Sequence, residues 1–178
     1  YRLQHSSVID TATIERRGDV GGFVAPVPLE EQMFQWRSDV EVDVMTFLAS
    51  LVGERMFYDG DNTSGVGGDM RAATSLVTQH LLGAAMGDTL RSFGGLSTVT
   101  VGVPYEGETA QAVEDKLREL YDRTVEVLTA NRREVLAVTH ALASYKTLSG
   151  EDVAAVIEGT EGPLVDGRGY VEATFVAE

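Results

Sequence analysis

Apolar and polar positions follow two different rhythms along this chain. Between Val8 and Arg16 the run VIDTATIER is β-branched and roughly alternating, the pattern of a strand. Arg17-Gly18-Asp19 reads as a turn, and Gly21-Gly22-Phe23-Val24-Ala25 returns as a second extended segment. Pro26 and Pro28 should end it, because proline has no N–H to give to a ladder. Residues 8–26 are thus expected to form a small β unit.

Beyond that point the period changes to that of a helix. Ser38-Asp39-Val40-Glu41 has the form of a capping box, and Val40, Val44, Phe47, Leu48, Leu51 and Val52 follow at helical spacing to about Met56. Residues 58–68, YDGDNTSGVGG, carry four glycines and short polar side chains, so they read as a loop. Asp69 then opens a helix with Met70, Ala73, Val77 and Leu81 on one face. Residues 83–107 are glycine-rich, with a possible strand at Ser97–Val103 closed by Pro104.

Three further helical patterns follow. One runs over Thr109–Ala130, with the stripe Val113, Leu117, Leu120, Tyr121, Thr124 and Leu128. Another covers Arg132–Tyr145, with Val135, Leu136, Thr139 and Leu142. Ser149-Gly150-Glu151-Asp152 resembles a second capping box ahead of Val153–Ile157. From Gly159 the periodicity fades. The expected fold is mainly α with a small β unit near the N-terminus: one domain over 1–158, then an extended or mobile tail over 159–178.

Composition narrows the function. The chain has 178 residues and 43% hydrophobic content, enough for one domain with a real core. Its 28 acidic and 14 basic side chains give a formal charge of −14, which phosphates would repel, so nucleic acid is not an expected partner. With no cysteine there is no disulfide, no thiol catalysis and no thiolate-bound zinc. No apolar run approaches the roughly 20 residues that span a bilayer. Tyr1-Arg2-Leu3-Gln4-His5 is polar and begins without methionine, so a fragment or processed form is expected.

Candidate chemistry is sparse. There is no GxSxG elbow, no GxxxxGK[ST] phosphate loop and no HExxH pair. Asp69 follows the glycine-rich loop at a helix start, where the dipole favours negative charge. It can be a cap or, since zinc takes aspartate oxygen beside histidine nitrogen, a metal ligand. His80 lies eleven positions on, or about 16 Å along the axis, too far to share an ion with Asp69. It reads as a partly buried, hydrogen-bonded histidine, His140 as a surface one, and His5 could reach a metal only through a loop. Gly21 and Gly22 ahead of Phe23 and Val24 either make a bulge or turn, or let a peptide add along an edge strand.

Taken in order, these segments resemble the peptidase domain of the FtsH-family ATP-dependent zinc metalloproteases. The resemblance rests on Leu3-Gln4-His5, Thr13 to Gly18, Gly21-Gly22-Phe23, and Leu51-Val52-Gly53-Glu54-Arg55. It continues through Thr63-Ser64-Gly65-Val66-Gly67-Gly68-Asp69, Ala73-Thr74, Leu128 to Arg132 and Lys146 to Val153. It covers roughly residues 1–157. Gly68 stands where the family has asparagine, the spacer from Arg55 to Gly65 is shorter than usual, and residues 83–107 do not align.

The resemblance implies a helical FtsH-type peptidase domain with Asp69 as third zinc ligand. Two histidines and a general-base glutamate would lie in an HExxH helix upstream of Tyr1, so no catalytic residue is expected within the chain itself. Gly21, Gly22, Phe23 and Val24 would hold a protein substrate as an added strand. It further implies an upstream ATPase domain using ATP and magnesium, a homo-hexamer, and a membrane anchor that places the domain on a cytoplasmic face. The chain alone should be inactive. A degenerate relative serving as an oligomerisation or adaptor module is the alternative, and an unrelated helical interaction domain a third.

Overall fold

The computed structural model describes residues 1–3, 7–16, 18, 21–31, 33–82, 84–87 and 108–172. His5 and the suggested strand at Ser97–Val103 lie outside the described residues. The chain divides into two compact units: Tyr1–Met33 with Asn131–Glu178, and Phe34–Ala130.

The first unit is built on a three-stranded antiparallel sheet, β1 (Ser7–Thr13), β2 (Phe23–Pro28) and β3 (Thr147–Ser149), in the order β2-β1-β3. The expected β unit near the N-terminus is present, and its third strand comes from far along the chain. Register runs from Ser7 opposite Pro28 to Thr13 opposite Phe23, with an irregularity at Asp10. Gly18 turns the hairpin at a φ of 61°. Pro28 is the last residue of β2, as expected, but Pro26 lies within it, because an edge strand tolerates proline wherever the missing N–H faces away from its neighbour.

Two helices cover this sheet, α4 (Arg132–Tyr145) and α5 (Gly150–Glu158). The core gathers Ala12, Ala137, Ala141, Leu148, Val153, Val156 and Val165, with Ile9, Val138 and Leu142 against it. The buried face of α4 therefore differs from the stripe expected at Val135, Leu136, Thr139 and Leu142. Ala137 and Ala141 are the deeply buried residues and Thr139 is exposed. Small side chains let a helix approach its neighbours closely, and a reading that weights large residues overlooks them.

The capping box at Ser149 is present. Its hydroxyl accepts from Asp152 N at 3.1 Å, while Asp152 Oδ2 accepts from Ser149 N at 3.2 Å. The expectation of an extended or mobile segment from Gly159 does not describe residues 159–172. Gly159 ends α5 at a φ of 69°, Glu161 bridges Asp166, and α6 (Arg168–Glu172) follows. Val165 is buried in the core, and Asp152 Oδ1 takes the N–H groups of Leu164 and Val165 at 2.7 and 3.1 Å.

The second unit contains α1 (Arg37–Phe57), a 3-10 turn (Ser64–Val66), α2 (Gly67–Leu76), a π-helical turn (Val77–Leu82) and α3 (Glu108–Ala130). Helix α1 packs against both α2 and α3 through Val40, Val44, Leu48, Leu51 and Val52. Its start falls before the expected Ser38 cap. Asp39, not Glu41, reaches back, accepting from Trp36 N at 3.3 Å. Glu41 is engaged elsewhere: its oxygens meet Arg37, Lys116 and Arg123 at 3.2, 3.0 and 2.8 Å, linking α1 to α3.

Candidate functional site

Asp69 is the third residue of α2, which begins at Gly67, two residues earlier than the glycine pattern suggested. The carboxylate is half-buried in the first turn. What precedes it is an ordered connection. Thr63 caps the 3-10 turn, its Oγ1 accepting from Gly65 N at 3.1 Å, and that turn runs straight into α2. Val66, 8% exposed, pins the junction to the core.

His80 lies on the π-helical turn, half-buried, on the same continuous stretch as Asp69. Burial pushes the Asp43 carboxyl up, and His80 is one of the groups opposing that rise. His140 is exposed on α4, as the sequence suggested. Asp69 and the Gly21–Val24 segment fall in different units.

Catalytic zinc is held by three protein donors with a fourth position open. Among the described residues no three His, Cys, Asp or Glu side chains are placed to hold a metal ion. The donor chemistry of Asp69 therefore fits one ligand of such an ion and does not make a site by itself.

At Gly22 an added Cβ would lie 2.7 Å from Thr13 O, so only glycine lets the returning chain close on β1. That supports the turn reading of this pair. It does not exclude the edge reading, because β2 is an outer strand with Val24 58% exposed. Pro26 and Pro28 fit beside β1 only with their nitrogens on the open side, and alternation puts Val24 in the same row. The open edge thus offers both N–H and C=O at Val24 but only carbonyls at the prolines. A peptide could exchange bonds in both directions there only at the Gly22–Val24 end.

Sequence reasoning named Glu41 and Asp152 only as members of capping boxes. Burial would raise the Glu41 carboxyl, but hydrogen bonds from Arg123, Lys116 and Arg37 outweigh it and hold the pKa at about 2. Burial likewise opposes Asp152, yet bonds from Ser149, Leu164 and Val165 lower it. The first partnership is non-local, so periodicity carries no trace of it; the second was signalled only by its capping half. A groove of about 840 Å³ also opens in the first unit, among Val8, Val27, Leu29 and the start of α5.

The model of peptidase family M41 matches residues 1–156, and the chain belongs to that family. It is similar to the ATP-dependent zinc metalloprotease FtsH 2 of Symbiobacterium thermophilum, 29% identical over 154 residues that cover 84% of this chain and 26% of that protein. It also resembles FtsH of Akkermansia muciniphila, 27% identical over 171 residues, covering 88% of this chain and 21% of that protein. FtsH of Lactococcus lactis is 26% identical over 175 residues, 90% of this chain and 25% of that protein. The chain spans about a quarter of the length of these relatives. Among the described residues no helix is long and apolar enough to cross a membrane.

Proposed function

We propose that this chain is the substrate-binding and one-ligand portion of a zinc-dependent endopeptidase acting on proteins. Asp69 serves as one zinc ligand. Two histidines and a glutamate general base come from an HExxH helix outside the 178 residues. Zinc bound there supplies an activated water and polarises the scissile carbonyl. The chain's own share is to hold the carboxylate in place and to bind the substrate backbone along Gly21, Gly22, Phe23 and Val24 as an added strand.

The observation that carries this reading is the ordered loop that presents Asp69 in the first turn of α2. The likeness to ATP-dependent zinc metalloproteases extends the proposal to an ATPase domain with magnesium, a hexamer and a membrane anchor in the complete protein. By itself the chain does not cleave peptides, because one carboxylate cannot hold catalytic zinc.

The test is Asp69→Ala in the protein expressed from its complete gene. Loss of both bound zinc and chelator-sensitive casein cleavage is expected. Unchanged cleavage would overturn the assignment. Assembly without any bound zinc in the unaltered protein would point instead to a non-catalytic module.

A further inference from the structure

We infer that Glu54 and Arg55, in the last turn of α1, are positioning residues for Asp69; this rests on Asp69 being a metal ligand. Helix α1 ends in a tight reversal. Tyr58 N donates to Glu54 O, Gly60 N to Arg55 O and Asp61 N to Tyr58 O, each at 2.9 Å. Asp59 and Gly60 take positive φ values of 53° and 87° to make the turn. The chain returns so that Asn62 and Thr63 meet the side chains of the turn they have just left.

Glu54 uses both oxygens on one residue. Oε2 accepts from Thr63 N, and Oε1 accepts from the Thr63 hydroxyl at 3.0 Å. The same Thr63 oxygen accepts from Gly65 N, so the Glu54 carboxylate fixes the residue that starts the 3-10 turn. Arg55 Nε donates to Asn62 Oδ1 at 3.1 Å, and Asn62 Nδ2 donates onward to Thr63 O at 3.2 Å. The Arg55 guanidinium in turn lies 5.8 Å from the Tyr121 ring centroid, with Nη1 3.5 Å from its hydroxyl. Its aim is thereby set by α3 as well as α1.

This clamp is spent on geometry more than on stability. Glu54 is half-buried and Arg55 exposed, and the loop they hold is itself exposed up to Val66. Polar contacts at such a surface contribute little to folding. A metal ligand, by contrast, must be placed to a few tenths of an ångström, and loss of outer partners that orient ligands typically weakens metal binding about 10- to 100-fold. Five residues separate Thr63 from Asp69, all in continuous helical turns, so displacing Thr63 displaces the carboxylate.

Amide hydrogen exchange on the 178-residue chain reads the clamp directly. Glu54→Ala and Arg55→Ala should speed exchange at Thr63 and Gly65 at least about tenfold while α3 amides stay unchanged, and Glu54→Gln should restore most of the protection. Unaltered exchange at both amides would overturn the inference. In the protein expressed from its complete gene, Glu54→Ala should raise the zinc Kd roughly tenfold, and add nothing on an Asp69→Ala background. An equal loss on both backgrounds would show that Glu54 does not act through Asp69. Unchanged zinc affinity in Asp69→Ala alone would remove the ligand reading itself, whatever the exchange shows.

Discussion

Two carboxylates each hold a turn in this chain, Asp152 in the first unit and Glu54 in the second. Asp152 is 2% exposed and divides its oxygens between the cap of α5 and the N–H groups of Leu164 and Val165. Glu54 is half-buried and gives both oxygens to Thr63. The bonding pattern is alike, but the surroundings are not. Removing a buried carboxylate leaves the backbone amides that donated to it unpaired away from water, whereas water can replace an exposed one. The first arrangement is therefore a device for stability and the second a device for placement.

The contrast can be broken most forcefully at Gly167. An added Cβ there would lie 1.8 Å from Ala155 O, beneath the turn that Asp152 ties down. Gly167→Ala should cost more than about 3 kcal/mol or prevent the unit from folding, read by denaturant titration. Asp152→Ala should cost about 3 kcal/mol in the same measurement, since it removes a cap and leaves the N–H groups of Leu164 and Val165 without their acceptor. A loss below about 1 kcal/mol would mean that water reaches the turn.

Acid offers a finer comparison. Glu41 titrates near 2 in the folded chain, against 4.5 for its ordinary value. A depressed pKa means that its contribution to stability is fully present above about 4.5 and is lost as the pH falls toward 2. Glu41→Gln should accordingly flatten the acid limb of the stability curve between those values, at a cost of about 1–2 kcal/mol at neutral pH. An unchanged limb would assign the acid sensitivity to other carboxylates, Asp152 among them. The smallest effect is expected at Glu54: Glu54→Ala should alter stability by less than about 1 kcal/mol while it loosens the Asp69 loop. A large loss of stability there would erase the distinction between the two carboxylates.

Local sequence was a good guide wherever local interactions decide structure. The boundaries of α4 and the Ser149 capping box were legible because caps and helical spacing act within a few residues. The place of Asp69 in a first helical turn was legible from the loop before it, and the family from the order of its motifs. The face that α4 buries was not legible, because Ala137 and Ala141 matter for how closely they allow a neighbour to approach. Nor was the fold of residues 159–172, whose order comes from the Asp152 carboxylate and a core place for Val165.

The amino-acid sequence by itself determined the two rhythms of the chain, its acidic surface and its membership of a peptidase family. Only the tertiary structure decided that β2 carries its prolines on an open edge, that β1 takes its third strand from Thr147–Ser149, and that Glu41 and Glu54 serve partners on other segments. The physical reason is range. Hydrogen-bond caps and hydrophobic periods act over one or two turns, whereas strand pairing and ion pairs join residues far apart in sequence, and their energy depends on what surrounds them.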